Sequence, residues 1–190
     1  MIRPSLYVAL VHYPVVNKHG EVMTTSVTNL DIHDISRSSR TFGVQGYFLV
    51  TPIELQHQLL SRILGHWEGP GGQDYNPDRH EALKLATPVR SLDEAFGKIA
   101  EAEGAVPLIA VTAAKFGQDE DSMAALIEKA RSLKRPVCLC FGTGHGLAQE
   151  VLERAEVKLT GLSGLAEDGY NHLSVRSAVA IYLDRWAQSL

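Results

Sequence analysis

The chain has 190 residues, 45% of them hydrophobic and 21% charged, a balance that predicts one ordinary globular domain over 1–190. No run of about 18 apolar residues occurs, which argues against a membrane span, and the first residues lack the charged-then-apolar pattern of a secretory leader. A net charge of −4 excludes a uniformly basic nucleic-acid binder; a polyanion would have to meet a local basic patch.

Residues 6–11 (LYVALV) are almost continuously apolar, as expected of a strand in a parallel sheet covered on both faces. Residues 12–23 read as a loop, with a turn at Asn17-Lys18-His19-Gly20. A helix is predicted over 31–41, with Asp31 as N-cap and Gly43 just past its end. Ile32, Ile35 and Phe42 form its sparse apolar stripe, while His33, Arg37 and Arg40 share another face. That polar face is either a solvated surface with Asp34 pairing to Arg37, or a grip on phosphates through Arg37 and Arg40.

A strand at 47–50 precedes a helix at 53–67 whose inner face is Leu59, Leu60, Ile63 and Leu64. Residues 69–77 (GPGGQDYNP) carry the strongest loop signal in the chain, a lid or a plain connection. Val89-Arg90 reads as a short strand, and Ser91 to Glu94 has capping-box spacing opening a helix to about 103. Strands at 107–112 and 136–141 flank an amphipathic helix over 119–133. A helix at 146–155, an extended piece at 157–162 and a final helix at 173–190 complete the chain. The last helix turns Val175, Val179, Leu183 and Trp186 inward. Alternating strands and helices predict an α/β fold with a mostly parallel sheet flanked by helices.

Cys138 and Cys140 alternate along a buried strand and read as reduced core residues of a cytoplasmic protein. No metal site is expected: the eight histidines form neither H-x-x-x-H nor H-x-H.

Three segments carry chemistry. Phe141-Gly142-Thr143-Gly144-His145-Gly146-Leu147 lies between a strand and a helix, where glycines let a ligand approach backbone N–H groups. It is not a dinucleotide fingerprint, because Leu147 stands where the third glycine belongs, and no P-loop is present. A tight turn without a ligand is the other reading of this segment. Leu159-Thr160-Gly161-Leu162 leads through a glycine-bearing loop to Asn171-His172-Leu173-Ser174-Val175-Arg176 at a helix start. Capping explains Asn171 or Ser174, and so does a grip on a substrate or anion. The third segment is residues 28–44, TNLDIHDISRSSRTFGV.

Together these segments resemble the SPOUT class of S-adenosylmethionine-dependent RNA methyltransferases over about residues 6–188. The carriers are Asp31, Arg37 and Thr41-Phe42-Gly43-Val44, then the 141–147 turn, then His172-Leu173-Ser174-Val175 with Asn171 before it. The wording is most similar to a branch sometimes fused to a tRNA guanine-N1 methyltransferase. The resemblance implies a deep C-terminal trefoil knot, a homodimer, an RNA substrate (tRNA or rRNA), and S-adenosylmethionine bent into three loops. Carried over, the cofactor residues are Thr112, Ala113, Phe141, Gly142, Thr143, Gly144, Gly146, Thr160, Gly161, Leu162 and Leu173. Arg37 is implied as the residue that positions a phosphate or activates the acceptor, and Asn171, His172 and Ser174 as its orienters. Asp31 and His172 stand where the branch commonly has Asn, which leaves the methylated atom open, since Asp and His can move protons. A knotted RNA- or protein-binding module that keeps the cofactor pocket without catalysis is the alternative.

Overall fold

A computed structural model describes residues 3–114, 116–117 and 120–190. Strands β1 (Leu6–Val11), β4 (Gly46–Val50), β5 (Ala86–Val89), β6 (Leu108–Val111), β7 (Val137–Gly142) and β8 (Val157–Lys158) form one sheet. Their order is β5-β4-β1-β7-β6-β8, and the pairings are parallel. β2 (Val15–Val16) and β3 (Val22–Met23) make a small antiparallel hairpin within the segment read as a loop. Its turn falls at the expected place, where the Gly20 N–H donates to Asn17 O and Gly20 takes φ +81°.

β1 is buried along its whole length, and its alternation divides the core. Leu6, Val8 and Leu10 face one layer, formed with helices α1 (Asn29–Thr41), α2 (Glu54–Glu68), α4 (Pro77–Leu83), α6 (Met123–Leu133) and α8 (Val175–Gln188). Tyr7, Ala9 and Val11 face the other layer, against α5 (Leu92–Glu103) and α7 (Gln149–Glu153). Cys138 and Cys140 lie fully buried in that second layer, as their alternation implied. The neighbouring Cys140 thiol and burial both push the Cys138 thiol well above its ordinary range, so it remains a protonated core residue.

Several boundaries differ from expectation. α1 begins two residues early, and Thr28 rather than Asp31 is its N-cap. The Thr28 hydroxyl accepts from Asp31 N–H and donates to the Asp31 carboxylate at 2.6 Å, a reciprocal cap that leaves Asp31 in the first turn. Residues 69–77 are not an open loop: α3 (Pro70–Tyr75) fills them, started by Pro70 at its first position. Asp34 pairs with Arg176 at 3.4 Å rather than with Arg37. α6 is capped by Ser122, whose hydroxyl accepts from Ala125 N–H, and residue 119, where that helix was expected to start, lies outside the described residues.

After β8 the chain runs against residues 116, 120 and 121. Thr160 donates its N–H to Asp121 O and its hydroxyl to Glu120 O, each at 2.9 Å. A Cβ on Gly161 would stand 2.4 Å from Phe116 O, so only glycine passes here. The chain then reaches α8, which lies against α1 and α6 on the first layer.

Candidate active site

In a parallel sheet, ligands settle beyond the carboxyl ends of the strands. Here the ends of β6 and β7 and the start of α8 border a cavity of about 550 Å³, a size that suits a cofactor-sized molecule. The expected cofactor residues Thr112, Ala113, Phe141, Gly142, Thr143, Gly144, Gly146, Leu162 and Leu173 line it, as do Asn171 and His172. Thr160 and Gly161 do not; they lie against residues 116, 120 and 121, and the Tyr182 hydroxyl donates to Thr160 O at 2.9 Å. Ser174 is also absent from the wall and caps α8, accepting from Ser177 N–H at 3.3 Å. Arg37 lies elsewhere, in a second cavity bordered by α1, α2 and α4.

The turn after β7 is fixed by sterics. A Cβ on Gly142 would meet Leu147 N at 2.7 Å and Gly146 C at 2.9 Å. Gly146 N–H closes the turn by donating to Thr143 O, and Gly144 and Gly146 both have positive φ. Backbone thus forms the wall where side chains would otherwise fill the space.

Beside this turn runs a chain of hydrogen bonds whose direction can be deduced. The Thr143 hydroxyl donates to Val11 O at 3.0 Å, so it can only accept from Thr25 Oγ1, 2.5 Å away. Thr25 has then spent its proton and accepts from His12 Nδ1 at 3.0 Å. His12 is therefore the Nδ1–H tautomer, with Nε2 buried and without a partner among the described residues. Burial drives its pKa down to about 4, against a smaller upward pull from Asp31, and it is neutral at pH 7. Thr25 and Thr143 line the cavity, so a buried neutral histidine anchors two wall residues.

The wall also carries charge. Arg176 donates to Asp31 at 3.3 Å and pairs with Asp34 at 3.4 Å, bridging the first turns of α8 and α1. Asp31 is only 6% exposed, yet its carboxylate borders the cavity with Arg176. The Asn171 amide donates to Leu162 O at 2.7 Å, folding the 162–171 loop back on itself, and the Tyr170 and His172 rings meet at 5.3 Å. Leu147 and Thr28 end segments that the sequence singled out, but Thr25, Ser26, Leu152 and Tyr182 were not foreseen in the wall; no motif marks them, because distant segments bring them there.

The cavity suits S-adenosylmethionine: a glycine turn for close backbone approach, apolar Leu162 and Leu173 beside it, and polar groups at one end. Among the described residues no group of His, Cys, Asp and Glu is placed to hold a metal ion. Sheet order and site together give an α/β domain with a cofactor-sized cavity at the carboxyl ends of its parallel strands. The chain belongs to the SAM-dependent RNA methyltransferase family whose sequence profile matches residues 5–188.

Two tRNA (guanine-N(1)-)-methyltransferases are similar to it. That of Oleidesulfovibrio alaskensis is 49% identical over 183 residues, covering 95% of this chain. That of Nitratidesulfovibrio vulgaris is 50% identical over 184 residues, again 95% of this chain. The chain spans only 41% of the length of each relative. Among solved structures, the SpoU methyltransferase AviRb from Streptomyces viridochromogenes in complex with AdoMet shares the fold, with a TM-score of 0.58 at 14% identity. That match covers 99% of this chain and 58% of AviRb. No helix among the described residues is long and apolar enough to cross a membrane.

Proposed function

We propose that the chain transfers the methyl group of S-adenosylmethionine to a tRNA nucleotide, as a cytoplasmic homodimer. The observation that carries this is the convergence of three separate segments, 112–114, 141–147 and 162–173, on one cavity that also holds Asp31 and His172. The tRNA preference rests on the two longer tRNA (guanine-N(1)-)-methyltransferases, in which a comparable segment accompanies further chain. A further methyltransferase domain is the corresponding partner.

The bound cofactor would supply an activated methyl group on a sulfonium, a displacement that demands alignment above all. In this reading Thr112, Ala113, Phe141 and the 142–146 turn hold it, while Leu162 and Leu173 enclose the adenine. Thr160 and Gly161 act indirectly, by fixing the loop that carries Leu162. Asp31 keeps lone pairs beyond those used by Thr28 and Arg176, and accepts the acceptor's proton. His172 orients the acceptor at the exposed rim, and Asn171 and Ser174 set the loop and helix that present it. Arg37, outside this cavity, positions a phosphate of the RNA.

The trefoil knot belongs to this proposal. It is supported by the passage of Thr160 and Gly161 against Phe116, Glu120 and Asp121 before the chain enters α8. Exposed Ile181 of α8 supports the dimer. The test is transfer of labelled methyl groups from S-adenosylmethionine to purified total tRNA. Transfer that is lost in Arg37→Ala, with cofactor binding retained, is the expected result. Cofactor binding without transfer to tRNA or rRNA would instead establish a non-catalytic module.

A further inference from the structure

We infer that the cavity between α1, α2 and α4 is a binding site for a phosphodiester of the RNA substrate, separate from the cofactor cavity. The inference rests on the RNA methyltransferase reading above. This second cavity is also about 550 Å³, and Arg37, Arg62, Arg79, His33, His66 and Trp67 line much of it. None of the three arginines forms an ion pair among the described residues, whereas the nearby carboxylate of Asp34 is already engaged by Arg176. On a chain of net charge −4, this is a concentrated positive patch.

The patch is built rather than incidental. Helical spacing puts His33 and Arg37 on one face of α1, and Arg62 and His66 on one face of α2. Trp67 is the platform between them: Arg79 lies over its ring at 5.0 Å, and the His33 and His66 rings meet it edge-on at 5.5 and 5.4 Å. The platform is held from behind, where His80 Nδ1 lies 2.6 Å from Trp67 O and a Cβ on Gly72 would stand 2.7 Å from Trp67 Cα. Asn76 fixes Arg79 in turn, accepting from its N–H at 2.9 Å. Arg79 Nε and His33 Nδ1 are buried without hydrogen-bond partners among the described residues, and the Arg79 N–H, which can only donate, is costly to leave unpaired until an acceptor arrives. Burial and then the Arg79 charge lower the His33 pKa, with Arg37 adding to this against Asp34, so the local field is positive. Guanidiniums in a shaped cleft beside an aromatic plane are the means by which proteins grip nucleic-acid backbones.

The test compares the full chain with Arg62→Gln and with Arg62→Gln/Arg79→Gln, using purified total tRNA over a range of salt. Arg62 is exposed and has no ion pair among the described residues, so the single variant keeps the fold. The expected result is tRNA binding weakened about tenfold by the double change, with the slope of log K against log salt reduced by about one per arginine removed. S-adenosylmethionine binding by calorimetry should be unchanged, since that cavity is elsewhere. Equal tRNA affinity and slope in all three proteins would overturn the inference while leaving the methyltransferase reading intact. So would a loss of self-association by sedimentation with tRNA affinity unchanged, which would make the patch an interface between copies. Wild-type protein that binds cofactor but no tRNA overturns the inference and the tRNA assignment together; failure to bind cofactor strikes the methyltransferase reading alone.

Discussion

Arg176, in the first turn of α8, reaches across to Asp31, in the first turn of α1, and bonds its carboxylate at 3.3 Å. The pair ties together two helices whose residues are 145 positions apart, at the rim of the cofactor cavity. The helix starts have their own caps in Thr28 and Ser174, so what the pair answers is the nearly buried Asp31 carboxylate, which would otherwise keep only the bond from the Thr28 hydroxyl.

Removing Arg176 strands Asp31 in a nearly buried position. Arg176→Ala should cost about 1–3 kcal/mol of unfolding free energy by urea titration. The arginine side chain is about a third exposed, which places the cost below that of a fully buried pair. Asp31→Asn leaves one oxygen for the two donors Thr28 and Arg176 and should cost about 1 kcal/mol, yet lose methyl transfer at least tenfold if Asp31 accepts the proton.

Thr143 links β7 to β1 through Val11 O and receives the bond from Thr25. Thr143→Val should destabilise by about 1–2 kcal/mol and weaken S-adenosylmethionine binding, whereas Thr143→Ser should be close to wild type in both. A Val variant with unchanged cofactor affinity would detach this network from the site.

His12 gives a pH signature. Its pKa falls from 6.5 in the unfolded chain to about 4 in the folded one, so the unfolded state takes up a proton first as the solution is acidified. Its contribution is fully present above about pH 6.5 and is lost as pH falls toward 4, with a slope of at most about 1.4 kcal/mol per pH unit. His33, lowered in the same direction, adds to the trend. His12→Asn should flatten stability against pH in this window, measured by thermal melts between pH 4 and 7.

Much of the fold is legible in the sequence because the strands announce themselves: LYVALV and VCLCFG are continuous apolar runs, as buried parallel strands must be. Residues 69–77 mislead because two prolines and three glycines signal a turn, while Pro70 actually opens a helix packed under Trp67. The glycine turn after β7 is visible as a motif, but Thr25 and Tyr182 are not, since only the tertiary fold carries them to the cavity. Arg37 is conspicuous in sequence, yet its neighbours Arg62, Trp67 and Arg79 come from other helices and form no local pattern.

Two glycines separate tertiary constraint from local propensity. Gly161→Ala forces a Cβ against Phe116 O and should unfold the crossing, with a loss of several kcal/mol or no soluble protein. Gly97→Ala, in the middle of α5 with nothing near its Cβ, should instead stabilise by about 0.5–1 kcal/mol. Paired urea titrations check both signs.

The central claim is that the 112–114, 141–147 and 162–173 segments form one S-adenosylmethionine site. Calorimetric titration with S-adenosylmethionine, using NAD and ATP as controls, tests it directly on the wild type and on Gly142→Ala, whose Cβ would collide with Leu147 N. The account predicts one selective site per chain, lost or weakened at least tenfold in the folded variant. No binding by the wild type, or equal affinity in both proteins, would contradict it.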